Sequence, residues 1–175
     1  MSITELLNDP GRRDHASMPE MDALVDADAL QEADLVDVRF DAGSSSVALL
    51  LDLRTALQFR LANTAVLVLR DVKELYWAAD EPQGARRIAH YIMSSKPGVD
   101  LNRFALEVVC LRGWRFRATG LTAEFYVGDV PGLPEAPPNF AEDDWQAITV
   151  GMASWDSLFK PGWATFLDPV DPEPI

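Results

Sequence analysis

The 175-residue sequence predicts an α+β domain with a mainly antiparallel sheet of meanders and hairpins and about three helices packed on it. Between residues 33 and 80, short apolar runs are separated by turns too short to hold crossover helices, which favours antiparallel neighbours. Apolar residues at helical spacing occur only in short segments. A chain of this length buries about 70% of its unfolded surface. Residues 1–175 are therefore predicted to form a single domain without a disulfide or metal.

Both ends of the chain are predicted to be loosely attached. Residues 1–18 are predicted to form a flexible arm because they contain a turn-rich break and no sustained pattern. A short amphipathic helix is predicted to follow from Pro19, since Met21 and Leu24 begin a helically spaced apolar series with acids between its members. Residues 168–175 are proline-rich and acidic, and are predicted to form a mobile tail.

Apolar and alternating runs predict the strands. In the first half these are DLVDVRF from residue 34, SVALLLDL from 46, LQFRL from 57, TAVLVLRDV from 64 and ELYWAAD from 74. Residues 104–111 and 114–128 are predicted as later strands, with a hairpin turn near Gly120.

Two further helices are predicted. Residues 84–96, GARRIAHYIMSSK, follow an Asp-Glu-Pro start signal and would turn Ile88, Tyr91 and Ile92 inward. Residues 141–159 begin with acids, which suit the positive end of a helix dipole, and are predicted to contain the final helix.

Negative charge is concentrated at the two ends of the chain. The formal net charge is -13, with 11 acids and 3 bases in residues 1–42 and 8 acids and 1 base in residues 131–175. This balance argues against nucleic-acid binding, because phosphate contacts need a positive field. It suits a basic protein partner attracted over long range, although solubility alone would also explain it. The candidate partner-binding residues are Asp22, Asp26, Asp143 and Asp144, with Trp155 as an aromatic anchor.

A second feature is the arginine-rich stretch LEVVCLRGWRFRATGLTAEFYVGDV, which contains Arg112, Arg115 and Arg117. Strand alternation places Arg115 and Arg117 on one face, and either hairpin register puts one of them opposite Glu124. An ion pair on a solvated face is therefore one explanation. A site for an anionic ligand is another, because guanidinium groups bind oxyanions in a bidentate manner. Contact with the chain's own acidic ends is the third.

A basic group on the predicted helix 84–96 extends the ligand alternative. Arg86 and Arg87 precede His90 at helical spacing, so the three could share a phosphate-binding face or form an ordinary solvated one. The alternative function is thus a small anionic-ligand binder, or an unfamiliar enzyme with an arginine-lined pocket. Its candidate ligand-binding residues are Arg86, Arg87, His90, Arg115 and Arg117.

The common catalytic motifs are absent from the sequence. It has no phosphate-binding loop, no Gly-x-Ser-x-Gly and no dinucleotide fingerprint. Asp143 and Asp144 are adjacent and would not face each other on a helix. With two histidines and one cysteine, Cys110, no metal centre and no cofactor are expected. These features favour a non-enzymatic protein.

Location and assembly are predicted from the apolar residues. No secretory signal is visible and the longest apolar runs fall short of the roughly 20 residues of a membrane helix, so a cytoplasmic protein without membrane contact is predicted. Twelve arginines against three lysines suggest a GC-rich bacterial genome.

Trp145, Trp155 and Trp163 either seal the core or mark an interface. A homodimer or other homo-oligomeric structural module is therefore a third alternative for the function.

The stretch SVALLLDL…LQFRLANTAVLVLRDV, about 40 residues, resembles the sheet-forming part of small bacterial immunity-type and uncharacterised β-meander proteins. The resemblance rests on the apolar pattern and brings no catalytic or ligand residue with it. It implies an α+β domain that binds a partner rather than a catalyst.

Overall fold

The computed structural model describes residues 1–9, 21–80 and 88–168. Two short helices, α1 (Ile3–Asn8) and α2 (Trp145–Val150), and a 3-10 turn at Leu111–Gly113 accompany the strands. The strands are β1 (Asp34–Asp41), β2 (Ser46–Asp52), β3 (Thr64–Arg70), β4 (Glu74–Ala78), β5 (His90–Asp100), β6 (Arg103–Cys110), β7 (Arg115–Gly120), β8 (Thr122–Asp129) and β9 (Lys160–Leu167).

The strands form one antiparallel sheet in the order β4-β7-β6-β5-β1-β2-β3-β8-β9. The predicted antiparallel sheet is confirmed, including the meander of β1, β2 and β3. The prediction of about three helices and an α+β class is wrong, because the described residues contain two six-residue α-helices and are mainly β. None of these helices has the length and apolar character needed to span a membrane.

The sheet closes on itself because β3 leads directly into β4 and β7 leads directly into β8, so that each of these two pairs acts as one long strand. β3 pairs with β8 from Thr64 opposite Gly128, and β4 pairs with β7 up to Ala78 opposite Arg115. At the junction the Lys73 amide donates to the Thr119 carbonyl at 2.9 Å, so the ladder is nearly unbroken. The short β1–β5 ladder completes the ring, so that β1, β2, β5, β6 and the two combined strands β3–β4 and β7–β8 form a six-stranded barrel. β9 pairs with the other side of β8 and extends the sheet.

The predicted hairpin near Gly120 is therefore wrong. β7 and β8 do not pair with each other but bend together along β3 and β4. At the bend, a Cβ on Gly120 would lie 2.8 Å from the Arg70 carbonyl oxygen, so this close backbone approach requires glycine.

The barrel has two chemically different walls. The covered wall, β1, β2, β3 and β8, contributes one face to the barrel interior and the other to an outer core under α1 and α2. Double burial explains the continuous apolar runs of β2 and β3. Among the residues that the structure describes, the bare wall, β4, β5, β6 and β7, packs only its inner face, with Phe104, Leu106 and Phe116. Its outer face carries charged side chains and alternates in the sequence.

The helix predicted from Pro19 is wrong within its described part, because residues 21–33 form turns. Asp28 and Glu32 have φ of 60° and 69°, which no α-helix accommodates. Their amides donate to carbonyls of β5, Asp28 to Ser95 at 2.7 Å and Glu32 to Ile92 at 3.0 Å. Tertiary hydrogen bonds replace the local helix, and the segment closes one end of the barrel interior.

Two other segments form a different kind of secondary structure from the one predicted. Residues 90–96 of the predicted helix 84–96 lie in β5, where pairing with β6 buries Ile92 but leaves Tyr91 exposed; residues 84–87 lie outside the described part. The predicted strand at residues 57–61 is a turn instead. It inserts Phe59 into the barrel interior, 6.0 Å from the Phe125 ring centroid.

The beginning of the predicted arm is ordered. Ser2 and Glu5 form a capping box for α1, and Ile3 and Leu6 are buried in the outer core. The flexible-arm prediction is thus wrong for residues 1–9, and the rest of the arm lies outside the described residues. Most of the predicted tail, residues 169–175, also lies outside them.

Candidate functional site

Asp22 and Asp26, the predicted partner-binding acids near the N-terminus, form hydrogen bonds within the fold. Asp22 is buried, and its Oδ1 accepts hydrogen bonds from the Leu24 amide at 2.9 Å and the Thr165 hydroxyl at 2.8 Å. Its burial removes Asp22 as a surface contact and corrects that prediction. Asp26 is exposed, but its carboxylate accepts from the Asp22 amide at 2.9 Å.

The second acidic pair lies at the start of α2. Asp144 is the N-cap, accepting from the Ala147 amide at 2.8 Å, and Asp143 accepts from the Asn139 amide at 2.8 Å. Asp144 is exposed and Asp143 half-buried. Because Ile148 of α2 packs in the outer core while Leu24 packs in the barrel interior, the two acidic regions pack against opposite faces of the covered wall.

The tryptophan predicted as an anchor packs against the outer core. Trp155 is half-buried in the outer core, and its Nε1 donates to Asp37 Oδ2 at 2.9 Å. Trp145 is more exposed, with 61% of its surface accessible, and Val150 at the other end of α2 is 70% exposed. The sequence places Trp145 directly after Asp143 and Asp144 but leaves open whether this tryptophan seals the core or marks an interface.

The arginines of β7 lie on the outer face of the bare wall. Arg115 and Arg117 are exposed and line a shallow depression of about 660 Å³ with Lys73, Glu74 and Glu107. Arg115 is 4.0 Å from Asp80. The alternation of β7 is confirmed, because Phe116 and Ala118 are buried between these arginines.

Glu124 does not pair with an arginine of β7, and that prediction is wrong. It lies in β8 and binds Arg70 of β3, with Nε–Oε1 at 2.7 Å and Nη2–Oε2 at 3.0 Å. Tyr126 also donates to Glu124, and burial and this carboxylate raise the pKa of Tyr126 well above its usual range. A period-two pattern gives the face of each side chain but not the partner strand.

His90 is separated from the arginines by the bare wall. Its ring lies 4.4 Å from the Trp114 ring and 5.9 Å from the Trp77 ring. It lines a cavity of about 400 Å³ between β1 and β4, together with apolar side chains such as Phe116. Burial lowers the pKa of His90, so the imidazole is neutral at pH 7. His90 is in β5 rather than on a helix, and Arg86 and Arg87 lie outside the described residues. The predicted ligand set is therefore not assembled in the described part.

A pair of carboxylates that the sequence did not reveal lies at the seam of the barrel, where β1 of the covered wall meets β5 of the bare wall. Asp34 of β1 is opposite Asp52 of β2, and Arg54 binds Asp52 with Nε–Oδ1 at 2.9 Å. Burial, followed by the negative charge of Asp52, raises the pKa of Asp34 from 3.8 to about 6. Neither carboxylate lines the two cavities described above.

The described residues contain no group of three or more His, Cys, Asp or Glu side chains arranged to hold a metal ion. Cys110 is buried, and burial together with the Asp34 charge raises its pKa to about 12, so the thiol stays protonated at neutral pH. Comparison with known proteins found no matching family model, no matching curated protein and no matching solved structure.

Proposed function

We propose that the protein is a non-enzymatic binding protein that recognises a basic protein partner, as an immunity-type or regulatory protein would. The observation that carries this proposal is the α2 surface, defined as Glu142, Asp143, Asp144 and Trp145. It combines a highly exposed tryptophan with three carboxylates. The surrounding residues 131–159 contain five acids and no lysine or arginine.

The geometry of α2 favours contact with another molecule. Only Ile148 of its six residues is buried, so the helix presents most of its surface outward. A tryptophan offers a large apolar area with a hydrogen-bonding edge, and such residues often dominate binding energy at interfaces. Carboxylates around such an anchor attract a basic surface and raise its association rate.

The carboxylates and the thiol support binding rather than catalysis. Asp143 and Asp144 each accept a backbone hydrogen bond, which fixes them as local structural acceptors while their charge still faces the surroundings of α2. Cys110 is buried as a protonated thiol and does not offer a nucleophile.

Affinity capture with the full chain tests the proposal. The wild type is immobilised, exposed to extract of the source organism and eluted with rising salt, and retained proteins are identified by mass spectrometry. A basic protein released by salt is expected, because screening weakens exposed charge pairs. Trp145→Ala is expected to lose that protein, while Leu158→Ala, which removes an apolar side chain with 64% exposure elsewhere, is expected to retain it.

A variant that lacks the three negative charges measures the contribution of the acids separately from that of Trp145. Glu142→Gln, Asp143→Asn and Asp144→Ser together remove three negative charges but keep hydrogen-bond acceptors, including an N-cap for α2. The partner is expected to elute from this variant at lower salt. Retention of no specific protein, or equal retention by all of these variants, would overturn the proposal.

A further inference from the structure

β4 is an edge strand with an unusual exposed surface. It pairs with β7 on one side, and the described residues provide no strand for its other edge. Leu75, Tyr76 and Trp77 are 40%, 55% and 42% exposed. An apolar edge strand of this kind is a template for pairing with another chain, and proteins usually cover or charge such edges.

The charges around β4 differ from those of the whole chain. On the outer face, Lys73, Arg115 and Arg117 are interleaved with Glu74 and Glu107, and Asp80 is 4.0 Å from Arg115. Among these described residues, the three cations balance the three anions, whereas the chain carries -13. A second copy would meet strong repulsion at the acidic ends but little at this balanced surface.

The sequence of β4 is also self-complementary. If two β4 strands pair antiparallel about a two-fold axis at Tyr76, Leu75 of one copy lies opposite Trp77 of the other. Glu74 then lies opposite Ala78 rather than opposite a second acid. Aliphatic–aromatic cross-strand pairs are stabilising, whereas like charges placed directly opposite each other are not.

Apolar side chains lie beside the free edge of β4. The cavity of about 400 Å³ between β4 and β1 is lined by Leu75 and Trp77 on one side and by Val38 and Phe40 on the other, with Asp37 and His90 also in its wall. An added strand would therefore find apolar side chains on its inward face. We propose that two copies of the chain associate through antiparallel pairing of their β4 strands, which joins two barrel walls into one sheet.

Sedimentation velocity of the full chain over a concentration range tests this association. The wild type is expected to sediment with twice the mass of one chain. Rising salt is expected to strengthen the dimer by screening the net charge, whereas it weakens binding at the α2 surface. Tyr76→Lys places two like charges at the two-fold axis and is expected to give a monomer. Trp145→Ala leaves β4 intact and is expected to remain dimeric.

A mixing experiment keeps the test independent of folding defects. Tyr76→Lys and Tyr76→Glu should each be monomeric, and their mixture should form a heterodimer detectable by native mass spectrometry. Circular dichroism of each variant establishes that it folds. A wild type that stays monomeric, or a dimer that persists in Tyr76→Lys, would overturn the proposal. A failure of the mixture to form a heterodimer from folded variants would do the same.

Discussion

The covered wall and the bare wall differ in how they accommodate charge. In the covered wall the buried Glu124 forms a bidentate pair with Arg70, and the buried Asp52 binds Arg54. In the bare wall Glu107 and Arg117 lie opposite each other in the register, yet both remain exposed. A charge between two packed layers needs a partner within hydrogen-bonding distance, whereas a charge on an open face is stabilised by water.

The two walls also differ in how deeply they bury their outward-facing apolar residues. The outward-facing positions of the covered wall, such as Val66, lie in the outer core beneath the helices. The outward-facing Val109 of the bare wall is half-exposed. Residues at equivalent positions of one barrel should therefore differ several-fold in their contribution to stability.

The largest expected effect comes from breaking the charge pair of the covered wall. Arg70→Met leaves Glu124 buried without its cation, and is expected to lower the free energy of unfolding by about 3 kcal/mol. Arg117→Met on the bare wall is the matched control and should change it by less than about 0.5 kcal/mol. Urea unfolding of the two variants beside the wild type measures both values.

A second substitution identifies the cause of that loss. Glu124→Gln in the Arg70→Met background removes the unpaired charge and should recover part of the stability. Similar losses for Arg70→Met and Arg117→Met would contradict the distinction between the two walls.

A smaller effect is expected from truncating an apolar residue on each wall. Val66→Ala opens a cavity between two packed layers and should cost about 2 kcal/mol. Val109→Ala removes the same atoms from a half-exposed site and should cost less than about 1 kcal/mol. Thermal or urea unfolding can rank the pair, and equal costs would show that the bare wall is covered in solution.

The sequence predicted the covered wall better than the rest of the fold. Buried β2 and β3 have apolar runs that a strand pattern identifies directly. Residues 21–33 have helical spacing, but their conformation depends on hydrogen bonds to Ser95 and Ile92 of β5, far along the chain. Local pattern cannot predict such contacts.

The candidate site was predicted only in part. Asp143 and Asp144 lie where acids were expected, at the start of a helix, but whether a nearby tryptophan is exposed depends on distant residues. Trp155 is tied to Asp37, which is 118 positions away. Within the described part of the chain, the Trp145 side chain forms no such hydrogen bond to the sheet, and the packing of Ile148 on the opposite side of α2 leaves Trp145 facing outward.

The smallest expected effect lies at the seam that joins the two walls, where Asp34 is opposite both Asp52 and Tyr91. Its pKa is raised from 3.8 to about 6, so the folded protein binds this proton more tightly than the unfolded chain. The associated stabilisation is fully present below pH 3.8 and is lost as pH rises through about 6. Asp34→Asn removes this loss, and at pH 7.5 (about 1.5 units above the raised pKa) should stabilise the protein by about 1 kcal/mol after allowance for partial solvent screening.

The sign and the pH window of this effect distinguish it from a general change of charge. The gain from Asp34→Asn should shrink steadily as pH falls from 7 towards 4, because the wild-type carboxyl becomes protonated over that range. Glu107→Gln removes one negative charge from the exposed face of the bare wall and is the matched control. Unfolding curves of both variants at several pH values measure the difference. A gain for Asp34→Asn that is constant with pH would mean that the seam is stabilised by the new amide itself, rather than by relief of the buried charge.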